Sequence, residues 1–120
     1  MKKEQIEKNP ILKLSFEFSL LIVDYCELLE LNKKYVIARQ LLKSGTSIGA
    51  NAMESQNSES KADFIHKMKI AAKEADETQY WLLICSLSNN YPNCNFLLQS
   101  LEPISKMLSS IISSSKKINK

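Results

Sequence analysis

Glycine and proline are scarce in this chain, at 2 and 3 of 120 residues. Folds of many strands need frequent turns, and turns draw on those residue types, so a sandwich or barrel is excluded first. The cysteines number 3, an odd count at wide spacing (Cys26, Cys85 and Cys94) with no C-x-x-C pair. That pattern excludes a disulfide scaffold and a structural zinc site. His66 is the one histidine; Ser44 and Ser47 have none beside them on their helix, and no Glu-x-x-His pair is present for a di-iron bundle. Charge of one sign is also lacking: 16 basic residues face 13 acidic ones, for a net +3. A dedicated nucleic-acid module carries a stronger bias than this. No apolar run is long enough to span a membrane, because Glu17, Asp24 and Glu27 interrupt the most hydrophobic stretch. Met1 to Lys8 is charged, and no apolar segment with a cleavage site follows, so a secretory signal is not expected. The reducing cytoplasm is the expected location, with Cys26 and Cys85 as small core residues and Cys94 as a free thiol in a loop.

Hydrophobic residues make up 44% of the chain, enough for one packed core, and residues 1–120 read as a single domain. Leu, Lys, Glu, Ser and Ala dominate, a helix-forming set. Asn9 and Pro10 read as an N-cap and first helical residue, opening a helix to about Leu31. Asn32-Lys33-Lys34 is a polar turn, followed by a helix over about 35–56. Asn57 to Ser60 is a joint, and Ser60 with Asp63 marks an N-cap with an acidic first turn for a helix over about 61–88. Asn89 to Asn93 is the clearest loop. A fourth helix covers about 95–114, with a basic tail of Lys116, Lys117 and Lys120. Pro103 predicts either a kink near Ser100 or a helix capped by Ser100 itself. Short joints make neighbours antiparallel, so the expected fold is an all-α, up-down-up-down four-helix bundle.

The first helix carries two apolar arcs. Ile11, Leu14, Phe18, Leu21, Ile22, Tyr25 and Leu29 form one, and Leu12, Phe16, Leu20, Val23 and Cys26 form the other. An outer helix of a monomeric bundle needs one stripe, so the second predicts burial against something more, a deeper core or another subunit. The second helix carries Gly45, Gly49 and Ala52 as a small-residue stripe. Interior glycine costs a helix about 1 kcal/mol relative to alanine, so close helix approach is the expected offset. The Ala71-Ala72-Ala75 stretch of the third helix reads as the facing surface. Beside the glycines, Ser44, Ser47, Asn51 and Glu54 share one face, expected to be a structural polar row hydrogen-bonded between helices, with Asn51 largely buried and bonded to a neighbouring helix or to helix backbone.

No catalytic residue, metal ligand set or cofactor site is expected from this inventory. Glu54 and Glu77 could approach across a helix pair with Glu74 nearby, and a lone carboxylate set of that kind is little basis for acid–base chemistry. Gly45 and Gly49 lie within a helical pattern and so form no phosphate loop. The candidates for nucleic-acid contact are the basic residues Lys33 and Lys34 in the turn, Arg39 and Lys43 one helical turn apart, and Lys69 and Lys73 at the same spacing. So few charges bind phosphate weakly in one copy and more strongly when an assembly repeats them.

Two runs are distinctive: Gln40 to Asn51 (QLLKSGTSIGAN) followed by Glu54, and Ser60 to Lys67 (SKADFIHK) followed by Ala71-Ala72-Lys73-Glu74-Ala75 and Glu77 to Leu82 (ETQYWL). Together they resemble the bacterial four-helix bundle proteins named after 23S rRNA intervening sequences. The resemblance spans Asn9 to about Lys117. It implies an antiparallel bundle, a ring-shaped homopentamer, no enzyme activity, and a distant similarity to accessory proteins of diversity-generating retroelements, which partner a reverse transcriptase and nucleic acid. Lys43 stands where arginine is common in that family, keeping the charge and losing the planar fork that grips phosphate.

The expectation is therefore a non-enzymatic oligomeric bundle associated with RNA or DNA. The alternative is a protein-interaction scaffold whose basic residues are plain solvated surface.

Overall fold

A computed structural model describes residues 1–118. The helices are α1 (Lys3–Lys8), α2 (Pro10–Leu31), α3 (Tyr35–Ser55), α4 (Lys61–Leu87) and α5 (Asn95–Ile118), with no strand among the described residues. The short α1 was not anticipated. It is anchored by Ile6, which is buried, and by a Glu7–Lys13 ion pair at 3.9 Å. Asn9 closes α1 and opens α2, its side chain accepting from the Leu12 N–H, with Pro10 in the first position. At the next joint Lys33 takes a positive φ of 63°. Ser60 Oγ accepts from the Asp63 N–H at 3.1 Å, while Asp63 Oδ2 reaches back to the Glu59 N–H at 3.3 Å.

The long helices form a closed order. Each packs on the next, α5 returns to α2, and the diagonal pairs α2–α4 and α3–α5 do not touch backbone to backbone. The molecule measures 51 × 27 × 20 Å, consistent with helices of 21–27 residues at 1.5 Å per residue. Phe18, Ile22 and Leu29 of α2, Leu41 and Ile48 of α3, Met68 and Leu82 of α4, and Leu97, Ile104 and Leu108 of α5 fill the core.

Pro103 neither caps nor ends a helix. α5 begins at Asn95 and runs through it, and Ser100 Oγ donates to the Phe96 carbonyl within the helix. The ring sits on the exposed side, where the Gln99 carbonyl that lost its N–H partner can turn to water. α5 also extends past Ser114, carrying Lys116 and Lys117 in its last turn. Lys120 lies outside the described residues.

The glycine seam faces α2, not α4. A Cβ on Gly45 would lie 2.8–3.0 Å from Ile22 side-chain carbons, and one on Gly49 would lie 3.3 Å from the Ser15 carbonyl oxygen. The close approach expected of these glycines is thus real, with a different partner. Ser15 is small for the same reason and satisfies its buried hydroxyl by donating to the Ile11 carbonyl at 2.7 Å.

The first arc of α2 is the core-facing one. Of the second, Leu12 and Cys26 are buried, but Phe16, Leu20 and Val23 are 44%, 54% and 37% exposed. No neighbour among the described residues covers them fully.

Candidate nucleic-acid interface

The six basic candidates fall in separate places. Lys33 and Lys34 stand at the α2–α3 end of the bundle, where the Lys34 ammonium lies 4.8 Å from the centre of the Tyr91 ring. That is cation–π range. Arg39 lines a small groove between α2 and α3 that Glu27 and Glu30 also line. Lys43 faces α4, close enough to Glu74 to favour its charged form. With Lys34 over Tyr91, Arg39 in the α2–α3 groove, Lys43 near Glu74 and Lys69 near Lys116 of α5, the six do not gather around one point.

Lys69 and Lys73 differ from the others. They lie on the α5 side of α4, and α5 brings Lys116 up to Lys69. The Lys69 ammonium is held below the usual lysine range, first by the charge of Lys116, with a smaller part from Lys73. The charges of Lys116 and Lys73 thus both bear on Lys69, on the side where α4 packs against α5. The ion pairs among the described residues are Lys13–Glu7, Lys67–Glu54 and Lys106–Glu102, and none involves this trio. Lys116 read from the sequence only as part of a tail, because nothing in linear spacing shows which α4 turn it meets.

The polar row on α3 is not a network between helices. Ser44 Oγ donates to the Leu41 carbonyl at 3.4 Å, Ser47 Oγ to the Lys43 carbonyl at 2.6 Å, and Asn51 Nδ2 to the Ser47 carbonyl at 2.8 Å. Short side chains reach the carbonyl three or four residues back more easily than a neighbouring helix. Asn51 is half-buried rather than largely buried. Only Glu54 crosses, pairing with Lys67 at 3.9 Å.

That pairing also separates the carboxylates. Glu54, late in α3, sits beside the start of antiparallel α4, and Glu77 lies ten residues beyond Lys67, about 15 Å along the helix. Glu77 instead accepts from Trp81 Nε1 at 3.4 Å. Partial burial and then the neighbouring Glu77 push the Glu74 carboxyl up. Among the described residues, no group of three or more His, Cys, Asp or Glu is placed to hold a metal ion.

All three cysteines are free and buried, Cys94 included. They gather at the loop end of the bundle around Tyr25. Its hydroxyl donates to the Pro92 carbonyl at 2.7 Å, and the Cys94 thiol donates to the Leu82 carbonyl at 3.3 Å. Burial pushes the Cys26 thiol up to about 12 and the Cys85 thiol up to about 11. Such groups are neutral thiols and poor nucleophiles at ordinary pH. No described helix is long and apolar enough to cross a membrane.

Comparison with known proteins adds two findings. A family model described as 23S rRNA-intervening sequence protein matches residues 7–110. The chain is also similar to a crystal structure of a protein with unknown function from the S23 ribosomal protein family of Bacteroides thetaiotaomicron. The identity is 39% over 85% of this chain and 97% of that one, with a TM-score of 0.81. A search of curated proteins finds no significant match.

Proposed function

The chain belongs to the 23S rRNA-intervening sequence protein family, and from that premise we propose that it is an oligomeric, RNA-associated bundle that works by binding and not by catalysis. One observation carries this reading: two unlike apolar faces on opposite sides of the molecule. On the α2–α3 side, Phe16, Leu20 and Leu42 are 44%, 54% and 40% exposed. On the α4–α5 side, Leu83, Leu87 and Phe96 are 44%, 85% and 47% exposed. The closed helix order makes these sides opposite. Unlike faces on opposite sides favour head-to-tail association, which gives a ring where the rotation closes. Five copies is the number implied by the family resemblance. Assembly repeats each surface charge around the ring, and that repetition supplies the multivalency a weakly basic chain needs to hold a polyanion.

Light scattering at micromolar concentration tests the assembly, with several times the 13.7 kDa chain mass expected. A monomer there would sink it. Replacing Phe16 and Leu20 with Asp should return the mass to one chain. RNA affinity measured against salt tests the association. A steep fall with added salt is expected, because neutralised phosphates release counterions. A flat, weak response from an intact oligomer would favour a scaffold that docks another protein through its apolar surface.

A further inference from the structure

The exposed stripe of α4 changes character along its length. Lys69 and Lys73 begin it, Asp76 follows, and Leu83 and Leu87 end it, all on one helical face. The basic end therefore stands about 15 Å from the apolar end, taking ten residues from Lys73 to Leu83. α5 runs antiparallel beside this stripe and divides the same way. Phe96 lies near its start, Glu102 lines the groove that Asp76 also lines, and Lys116 stands beside Lys69. The acidic residues thus sit midway along the groove, and the basic ones collect where α5 ends.

The geometry points to the Lys69–Lys73–Lys116 trio as the site that holds the phosphodiester backbone of an RNA. Several of the other basic side chains are already engaged. Lys13, Lys67 and Lys106 have carboxylate partners, Lys34 lies over Tyr91, Lys43 faces Glu74, and Arg39 shares its groove with Glu27 and Glu30. The trio has no ion-pair partner among the described residues, and Lys69 meets the like charge of both others. An anion placed between two helices relieves that repulsion, which no counterion among the described residues does. Ammonium groups are point donors without the planar fork of arginine, so the site reads phosphate charge and not base sequence. All three side chains are exposed, so the site costs the fold little to present. It rests on the RNA-associated reading above and names where the contact is made.

The test compares wild type, the triple variant Lys69→Gln/Lys73→Gln/Lys116→Gln, the matching Lys→Arg triple, and a Lys106→Gln control at a lysine already paired with Glu102. Each is titrated with a labelled single-stranded RNA of mixed sequence over a range of salt, and each is checked for unchanged mass and melting temperature. Each phosphate contact to a single strand contributes about 0.7 to the slope of log affinity against log salt, so the glutamine triple should flatten the slope by about 2 per engaged copy. The arginine triple and the control should keep it. Steep wild-type binding that survives in the glutamine triple would overturn the site and leave the RNA reading standing. No binding by wild type would overturn both. Should the glutamine triple fail to fold, single Lys→Gln changes each predict about a third of the effect, and an unchanged slope in all three overturns the site.

Discussion

Gly45→Ala puts the packing argument under direct test. Alanine is the better helix former by about 1 kcal/mol, so on propensity alone the change stabilises α3. The new Cβ, however, would meet Ile22 Cγ1 at 2.8 Å, Cγ2 at 2.9 Å and Cδ1 at 3.0 Å. Two of those atoms are fixed by the branch at Cβ and cannot swing away, and Ile22 is fully buried. Overpacking of this kind costs about 1–3 kcal/mol, leaving a net loss of about 0–2 kcal/mol. About 2.1 cal/mol/K per residue over the chain gives about 0.25 kcal/mol/K, so each 1 kcal/mol moves the melting temperature by about 4 °C. Ile22→Ala removes all three opposing carbons. In that background Gly45→Ala has nothing to strike and should stabilise by about 1 kcal/mol. The double-mutant cycle should then give a coupling of about 1–3 kcal/mol. Melts of the four proteins at one concentration supply the numbers, since assembly makes the midpoint concentration-dependent. A rise of about 4 °C from Gly45→Ala in both backgrounds would refute the seam.

Three further outcomes are expected. Ser60→Ala removes the acceptor for the Asp63 N–H and should cost about 1 kcal/mol, while Ser60→Gly should cost only a few tenths, both read from denaturant titrations. Asn51→Ala should change stability by under about 0.5 kcal/mol. The Ser47 carbonyl keeps its helical N–H partner, and alanine is the better helix former; a loss above about 1 kcal/mol would reveal a partner on another helix. Because the Cys85 and Cys26 thiols ionise in the folded chain only near about 11 and about 12, the unfolded chain gives up those protons first as pH rises above about 8.5. Their contribution to stability is complete below that pH and is lost between there and about 12, so the melting temperature should fall across that window and more slowly after Cys26→Ala.

Local chemistry was legible in the linear sequence. Asn9-Pro10 and Ser60-Asp63 start helices through bonds made within one turn, Asn32 to Lys34 and Asn89 to Asn93 break them, and apolar periodicity picks the core face. These interactions span four residues or fewer, so spacing encodes them. The two arcs of α2 likewise marked an exposed apolar face before any packing was known. What spacing could not encode is which face meets which neighbour. The glycines were read correctly as a close-approach surface, yet their partner is Ile22 and Ser15 of α2, a choice made by how α3 turns about its axis in the bundle. The polar row looked like a bridge between helices because it shares a face, while the nearer backbone carbonyls captured Ser44 and Ser47, and Asn51 took the helix-backbone partner that was its other expected choice. Pro103 left open whether Ser100 starts a helix or lies inside one, and α5 carries the proline within it because the lost bond faces solvent. The candidate site shows the same division. Lys69 and Lys73 were visible as a pair one turn apart, but Lys116 lies more than forty residues away in sequence. Only the antiparallel return of α5 brings its charge to theirs, with no ion-pair partner for the three among the described residues.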